Sequence, residues 1–194
     1  MNNPILYFEV TDPFDVVYRN NSTSNILLPH THNAVEIYFT LNDLPDVLLN
    51  DTVSAVKKGS LVIIPPYTVH QLFNKCLTMY ERYIISINCE WLEYIFNRHP
   101  DVMHYAQRTS QPAIIALSED NQTILAKAVD RFVKLDTVFN IKYYSEFFSL
   151  LETIDELISN TIGFPYTSVT CSQSVLGNWS LLSSFTYTFP KRVW

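Results

Sequence analysis

From His30 to Leu41 the chain alternates between two kinds of side chain. His30, His32, Glu36, Tyr38 and Thr40 occupy even positions, and Val35, Ile37, Phe39 and Leu41 occupy odd ones. Successive residues of an extended strand point to opposite faces of a sheet. One continuous strand through this segment carries two imidazoles, a carboxylate and a phenol on one face and greasy side chains on the other. In a barrel with its polar face inward, the even residues form a pocket wall.

The rest of residues 1–90 suits such a sheet. The runs ILYFEV, AVEIYFTL, DVLLN, SAV, SLVIIP and YERYIISIN are rich in β-branched and aromatic residues. The breaks RNNSTSN, LNDLPD, LNDT, KKGS, PPYT and FNK carry turn chemistry. Many short strands at near-regular spacing predict a sandwich or barrel.

Beyond residue 90 the pattern changes. WLEYIFNRH predicts a short helix near 90–99, stopped by Pro100. Ser118 suits an N-cap, with Glu119 and Asp120 in the first turn, where the helix dipole favours acids. Ile124, Leu125, Ala128, Phe132 and Leu135 then recur at helical spacing. After a break near 136–140, a second helix carries Tyr143, Phe147, Leu150, Leu151, Ile154, Leu157 and Ile158. That seam fits a helix packed on its own barrel and, equally, a dimer interface. Residues 157–190 contain no Asp, Glu, Lys or Arg. The chain thus divides into a mostly β domain over 1–115, a helical segment over 116–160 and a charge-poor tail over 161–194.

Composition removes several classes of function. Thirteen Lys and Arg against 19 Asp and Glu give a net charge of −6, which opposes direct binding to phosphate backbones. The three glycines, at 59, 163 and 177, form neither GxGxxG nor GxxxxGK[ST], so no nucleotide-loop motif is present. Cys76, Cys89 and Cys171 contain no CxxC pair and are odd in number, as expected of reduced thiols in a cytoplasmic protein. The start, MNNPILYFEVTD, lacks the basic and apolar regions of a signal peptide. LVIIPPYTV is too short and too Pro-broken to span a bilayer. No GxSxG occurs, and no Cys sits in a recognisable motif with His. The expectation is a soluble cytoplasmic protein without hydrolase chemistry.

A second segment matters for chemistry: GSLVIIPPYTVHQLFN, residues 59–74. Gly59 suits a turn entering a strand, Pro65 and Pro66 end that strand, and His70 lies just beyond. Imidazoles at 30, 32 and 70 and the carboxylate of Glu36, on adjacent strands, are able to hold Fe, Mn, Ni, Zn or Cu with open positions. Neutral imidazole and ionised carboxylate prevail near pH 7. Three uses fit the set: metal for catalysis, metal or effector binding without catalysis, and a hydrogen-bonded structural cluster. His99 and His104 have no partners at ligand spacing and read as surface residues. Glu81 and Arg82 face opposite sides of their strand, so one of them points to the pocket.

HTHNAVE matches HxHxxxE, the core of the first cupin motif. Gly59, Pro65, His70 and Asn74 match the second, G(x)5PxGxxH(x)3N, at its spacing. Together they resemble the cupin double-stranded β-helix. Asp43 stands where the first motif usually closes on Gly, and Tyr67 replaces the Gly of PxG. A bulky residue does not cheaply take φ > 0, so the turn at Tyr67 is expected to differ from that of metal-dependent cupin enzymes. PHTHNAVEIYF, KKGSLVIIPPYTVHQ and YERYIISINCEWLEYIF, in that order and ahead of a helical pair, resemble the N-terminal sensor half of AraC-type transcription regulators, over residues 5–160. The resemblance implies a cupin barrel followed by a pair of dimerising α-helices. It also implies a small effector, often a sugar, in the barrel and a DNA-binding half elsewhere. With 34 residues after Asn160, an isolated or truncated sensor is expected, lacking the helix-turn-helix half.

The expected protein is a homodimeric, non-enzymatic sensor. Its effector meets His30, His32, Glu36, Tyr38 and His70, and no cofactor is required, although the four-residue set suits a divalent transition metal. It touches neither DNA nor membrane. The alternative is a metal-dependent cupin enzyme, an oxygenase or isomerase, using three His and one Glu.

Overall fold

A computed structural model describes residues 4–21, 28–73, 79–98, 109–135 and 140–162. The chain separates into a compact unit, Met1–Phe164, and a second, Pro165–Trp194, which lies outside the described residues. The charge-poor tail therefore also lies outside them, apart from residues 161 and 162.

Among the described residues, ten strands divide between two facing sheets. They are β1 (Leu6–Phe8), β2 (Phe14–Asn21), β3 (His30–His32), β4 (Ala34–Thr40), β5 (Leu44–Leu49), β6 (Thr52–Val56), β7 (Ser60–Ile64), β8 (His70–Phe73), β9 (Tyr80–Asn88) and β10 (Ala113–Ala116). One sheet has the order β1-β3-β8-β5-β6 and the other β10-β7-β4-β9-β2. Between them lies an apolar cluster of Tyr38, Leu44, Val47, Leu49, Val56, Val62, Ile64, Leu72 and Tyr80, drawn from both sheets. The sequence runs missed β2, β8 and β10 and did not separate β3 from β4. β2 and β10 are edge strands, and β2 and β8 include polar residues that weaken a β-branched signal.

The described residues also form three helices, α1 (Cys89–Arg98) before β10, and α2 (Glu119–Val133) and α3 (Ile141–Ile162) after it. Ser118 caps α2 as expected, its side chain accepting from the Asn121 amide at 3.3 Å. The helices cover the outer face of the second sheet, where Phe14 pairs in register with Ile87. The Phe14 ring is stacked on Phe147, with centroids 3.6 Å apart, and on Tyr143 at 5.3 Å.

This packing decides the fate of the apolar seam on α3. Tyr143, Phe147, Leu150, Leu151, Ile154, Leu157 and Ile158 are all buried within the chain. Their burial accords with the helix packed on its own barrel. On the outside of α3, Ile141 and Phe148 are exposed instead. Among the described residues, no helix is long and apolar enough to cross a membrane.

Gly59 needs its identity twice over. Its φ is +75°, and a Cβ there would lie 2.1 Å from the side-chain amide of Gln122. That amide donates to the Leu117 carbonyl at 2.9 Å and so fixes the entry to α2. Gly59→Ala is expected to lower stability by more than about 1 kcal/mol, since backbone strain and a steric clash add. Chemical denaturation checks this, and Gln122→Ala in the same chain should recover part of the loss.

Candidate functional site

The even-numbered polar face bends where one continuous strand was expected. Asn33 leaves the strand between β3 and β4, and the chain passes there from the first sheet to the second. The corner is fixed on several sides. The Asn33 side chain accepts from the Val10 amide at 2.7 Å and donates to the Val10 carbonyl at 3.2 Å. Its own carbonyl accepts from the Cys89 amide at 3.0 Å. On the far side of the corner Glu36 again points at His32, so parity holds although the strand does not.

Three groups converge on a single carboxylate oxygen. His32 Nε2 lies 3.1 Å from Glu36 Oε2, and His70 Nε2 lies 3.2 Å from the same atom. The Tyr38 hydroxyl donates to it at 3.1 Å. Burial alone would raise the Glu36 carboxyl, but the imidazoles of His32 and His70 outweigh it and hold the group well below the usual carboxylate range. Burial, reinforced by the adjacent Glu36 charge, pushes the Tyr38 phenol well above its ordinary value.

The tautomer of His70 follows from its other nitrogen. Nδ1 lies 2.9 Å from the Thr68 carbonyl, which can only accept, so Nδ1 carries the hydrogen. Nε2 then faces a carboxylate oxygen, donating to it from a protonated ring and presenting a lone pair to it from a neutral one. Among the described residues, the buried Nε2 has no hydrogen-bond partner, and neither does the buried Nδ1 of His32. A cation or a donating hydroxyl placed among these atoms removes the conflict.

The donor set fits a metal. One atom each from His32, Glu36 and His70 lies within 4.8 Å of the others. Two imidazoles and one carboxylate are ligands that non-haem iron and related divalent ions use. A backbone carbonyl holding the far nitrogen, as Thr68 does for His70, is the usual outer support of a ligating imidazole. His30 stands outside this group, so four expected ligands become three. Its Nδ1 donates to the Leu28 carbonyl at 3.1 Å, and its ring lies 4.0 Å from that of His70. Burial, with His70 alongside, lowers the His30 pKa to about 4, so the ring is neutral at pH 7.

The turn carrying Tyr67 does not differ in the way expected. Tyr67 takes φ +61°, the left-handed conformation that its bulk was expected to forbid. The Thr68 amide donates to the Pro65 carbonyl at 3.2 Å across the turn. Pro66 has a fixed negative φ, so the turn is type II with tyrosine in the position that favours glycine. Such a residue costs on the order of 1–3 kcal/mol and persists only where its surroundings enforce it. Here the Tyr67 amide donates to the His32 carbonyl at 2.8 Å.

Beyond Glu36 the inner wall is less polar than alternation suggested, because Tyr38 belongs to the apolar cluster between the sheets. Of the pair Glu81 and Arg82, the arginine is the inward one. It is 3% exposed, and its guanidinium sits 4.9 Å from the Tyr38 ring centroid and 5.1 Å from that of Tyr80. Arg82 pairs in register with Thr40, so the parity of β4 would have found it once the pairing was known. His99, His104, Asn74, Cys76 and Cys171 lie outside the described residues.

No protein-family model matches the sequence, and no curated protein does. Solved structures do. A cupin 2 conserved barrel domain protein from Salinispora arenicola is 19% identical, covering 46% of this chain and 76% of its own, at a TM-score of 0.37. ToxT from Vibrio cholerae, a regulator of the AraC family, is 6% identical, covering 92% of this chain and 68% of its own, at a TM-score of 0.50. A second ToxT structure is 8% identical over 92% and 66%, again at 0.50. At such identities the likeness is one of fold. Two facing five-stranded sheets followed by helices, with His32, Glu36 and His70 between the sheets, make this a cupin-fold protein.

Proposed function

We propose that the chain is a non-enzymatic, small-molecule-binding sensor barrel of an AraC-type regulator, with His32, Glu36 and His70 as the point of attachment. Two features support this reading: the fold shared with ToxT and the motif text of the sequence. The observation that carries it is the inward Nε2 of His70, buried 3.2 Å from the Glu36 carboxylate and without a hydrogen-bond partner among the described residues. An effector hydroxyl would satisfy it, and a second hydroxyl would find the Glu36 carboxylate, so polyols such as sugars are the first class to try. A divalent metal held by His32, Glu36 and His70 would supply a Lewis acid for effector oxygens. The reading includes a cytoplasmic homodimer that does not itself contact DNA or membrane.

One observation favours a second reading, a metal-dependent cupin oxygenase or isomerase: the two-imidazole, one-carboxylate set. Metal analysis of protein purified without chelator or affinity tag, with calorimetric titration of monosaccharides, separates the two. Sugar binding by metal-free protein supports the sensor. Stoichiometric Fe, Mn, Ni or Zn that vanishes in His32→Ala, with no sugar bound, supports the enzyme. Binding of neither class sinks both.

A further inference from the structure

The left-handed Tyr67 is strained, and the site as described makes no chemical use of its side chain. Yet the turn it occupies holds the backbone of His32 and the imidazole of His70. The Tyr67 amide holds the His32 carbonyl at 2.8 Å, and the carbonyl of the following residue, Thr68, holds His70 Nδ1 at 2.9 Å. Two adjacent residues, Tyr67 and Thr68, thus fix the strand end that carries one imidazole and the tautomer of the other.

Something must keep that unit in a conformation tyrosine disfavours. The half-buried phenol extends to Cys89 at the start of α1, with its hydroxyl 3.8 Å from the thiol sulfur. Cys89 in turn donates its amide to the Asn33 carbonyl at 3.0 Å. The residues flanking the corner of the chain are therefore held from one side by linked partners: His32 by Tyr67, and Asn33 by Cys89. Glycine would give the same turn without strain but would drop the anchor. The chain carries the costly residue at the turn that holds the His32 carbonyl and the His70 ring.

We propose that Tyr67 is a positioning residue of the His32–Glu36–His70 site, its ring and its contact with Cys89 fixing the Pro65–Thr68 turn. This rests on the reading of that group as a binding site, and it deepens that reading by naming what orients it. A residue serving stability alone would lower the melting temperature when replaced and disturb the imidazoles only in step with that loss. A positioning residue would leave stability in place and disturb the imidazoles.

The test uses Tyr67→Gly, with Tyr67→Asn as a second variant that tolerates the left-handed region and Tyr67→Phe as the conservative control. Long-range proton–nitrogen NMR of the metal-free protein reads each histidine's tautomer, and Co2+ titration reads affinity. Tyr67→Gly and Tyr67→Asn are expected to melt within about 4 °C of the wild type. Their His32 and His70 ring-nitrogen shifts should nevertheless move, and Co2+ affinity should fall by roughly tenfold or more, as for loss of an outer support of a ligand. Tyr67→Phe, which keeps the ring but loses the hydroxyl contact with Cys89, should show shifts between those of the wild type and Tyr67→Gly. Wild-type ring-nitrogen shifts in both relieved variants would overturn the proposal, as would shifts that only track lost melting temperature. Wild-type protein that takes no Co2+ refutes the metal reading alone, because the ring-nitrogen arm needs no metal.

Discussion

Phe14→Ala is expected to destabilise the protein by about 3–5 kcal/mol, the range for truncating a large buried aromatic. Phe14 is 1% exposed and opens β2, the edge strand of the second sheet. Its ring meets Trp91 of α1, Phe132 of α2, and Tyr143, Tyr144 and Phe147 of α3. It is the one side chain among these that joins a barrel strand to all three helices. Truncation removes buried area and several ring pairs, and the surrounding rings are too rigid to collapse fully into the gap. Urea denaturation measures the loss, and Phe14→Leu should cost visibly less. A loss below about 1 kcal/mol would be outside this range and would mean that the helices do not pack on the barrel through this residue.

Glu36 carries the second large effect. Glu36→Leu strands two buried donors, His32 Nε2–H and the Tyr38 hydroxyl, at roughly 1–3 kcal/mol each. Glu36→Gln keeps an acceptor in place and should fold nearly as well as the wild type, yet lose Co2+ uptake. Comparing the two by urea denaturation and metal titration separates the architectural from the ligating use of one side chain. Acid supplies a further check. The folded carboxyl is held below its ordinary value of 4.5, so its contribution is complete above that value and is lost as pH falls beneath it, where the unfolded chain binds a proton first. In Glu36→Gln that component of the acid sensitivity should be missing. Uptake of Co2+ by Glu36→Gln equal to wild type would remove the carboxylate from the ligand set.

How much of this was legible in the sequence depends on the scale of the interaction. Parity placed His32 and Glu36 on one face, and motif spacing brought His70 to them, because both signals are local. The same parity concealed the corner at Asn33, since a chain that changes sheets without slipping register leaves no mark on the alternation. Conformational preference misled at Tyr67. It weighs the residue alone, whereas the structure adds a hydrogen bond to His32 and a contact with Cys89. Periodicity on α3 correctly marked an apolar face but could not say what covers it. That answer lay in Phe14, more than a hundred residues earlier. Arg82 needed the β4–β9 register, which no single strand reveals.

One consequence of the corner at Asn33 concerns cohesion. His32 and His70 belong to the first sheet, whereas Glu36 and Tyr38 belong to the second. Anything seated among them is gripped by both layers at once and is released when the layers part. Occupancy and unfolding are then mutually exclusive, and mass action ties them: an occupant at a hundred times its dissociation constant adds about 2.7 kcal/mol to the folded state. For a chain of this length that is a rise of roughly 5–11 °C in melting temperature. Amide exchange should slow most around residues 32–36, where the two layers meet. A thermal-shift screen of metals and small molecules therefore interrogates this site directly, with no assay of activity and no assumption about its occupant.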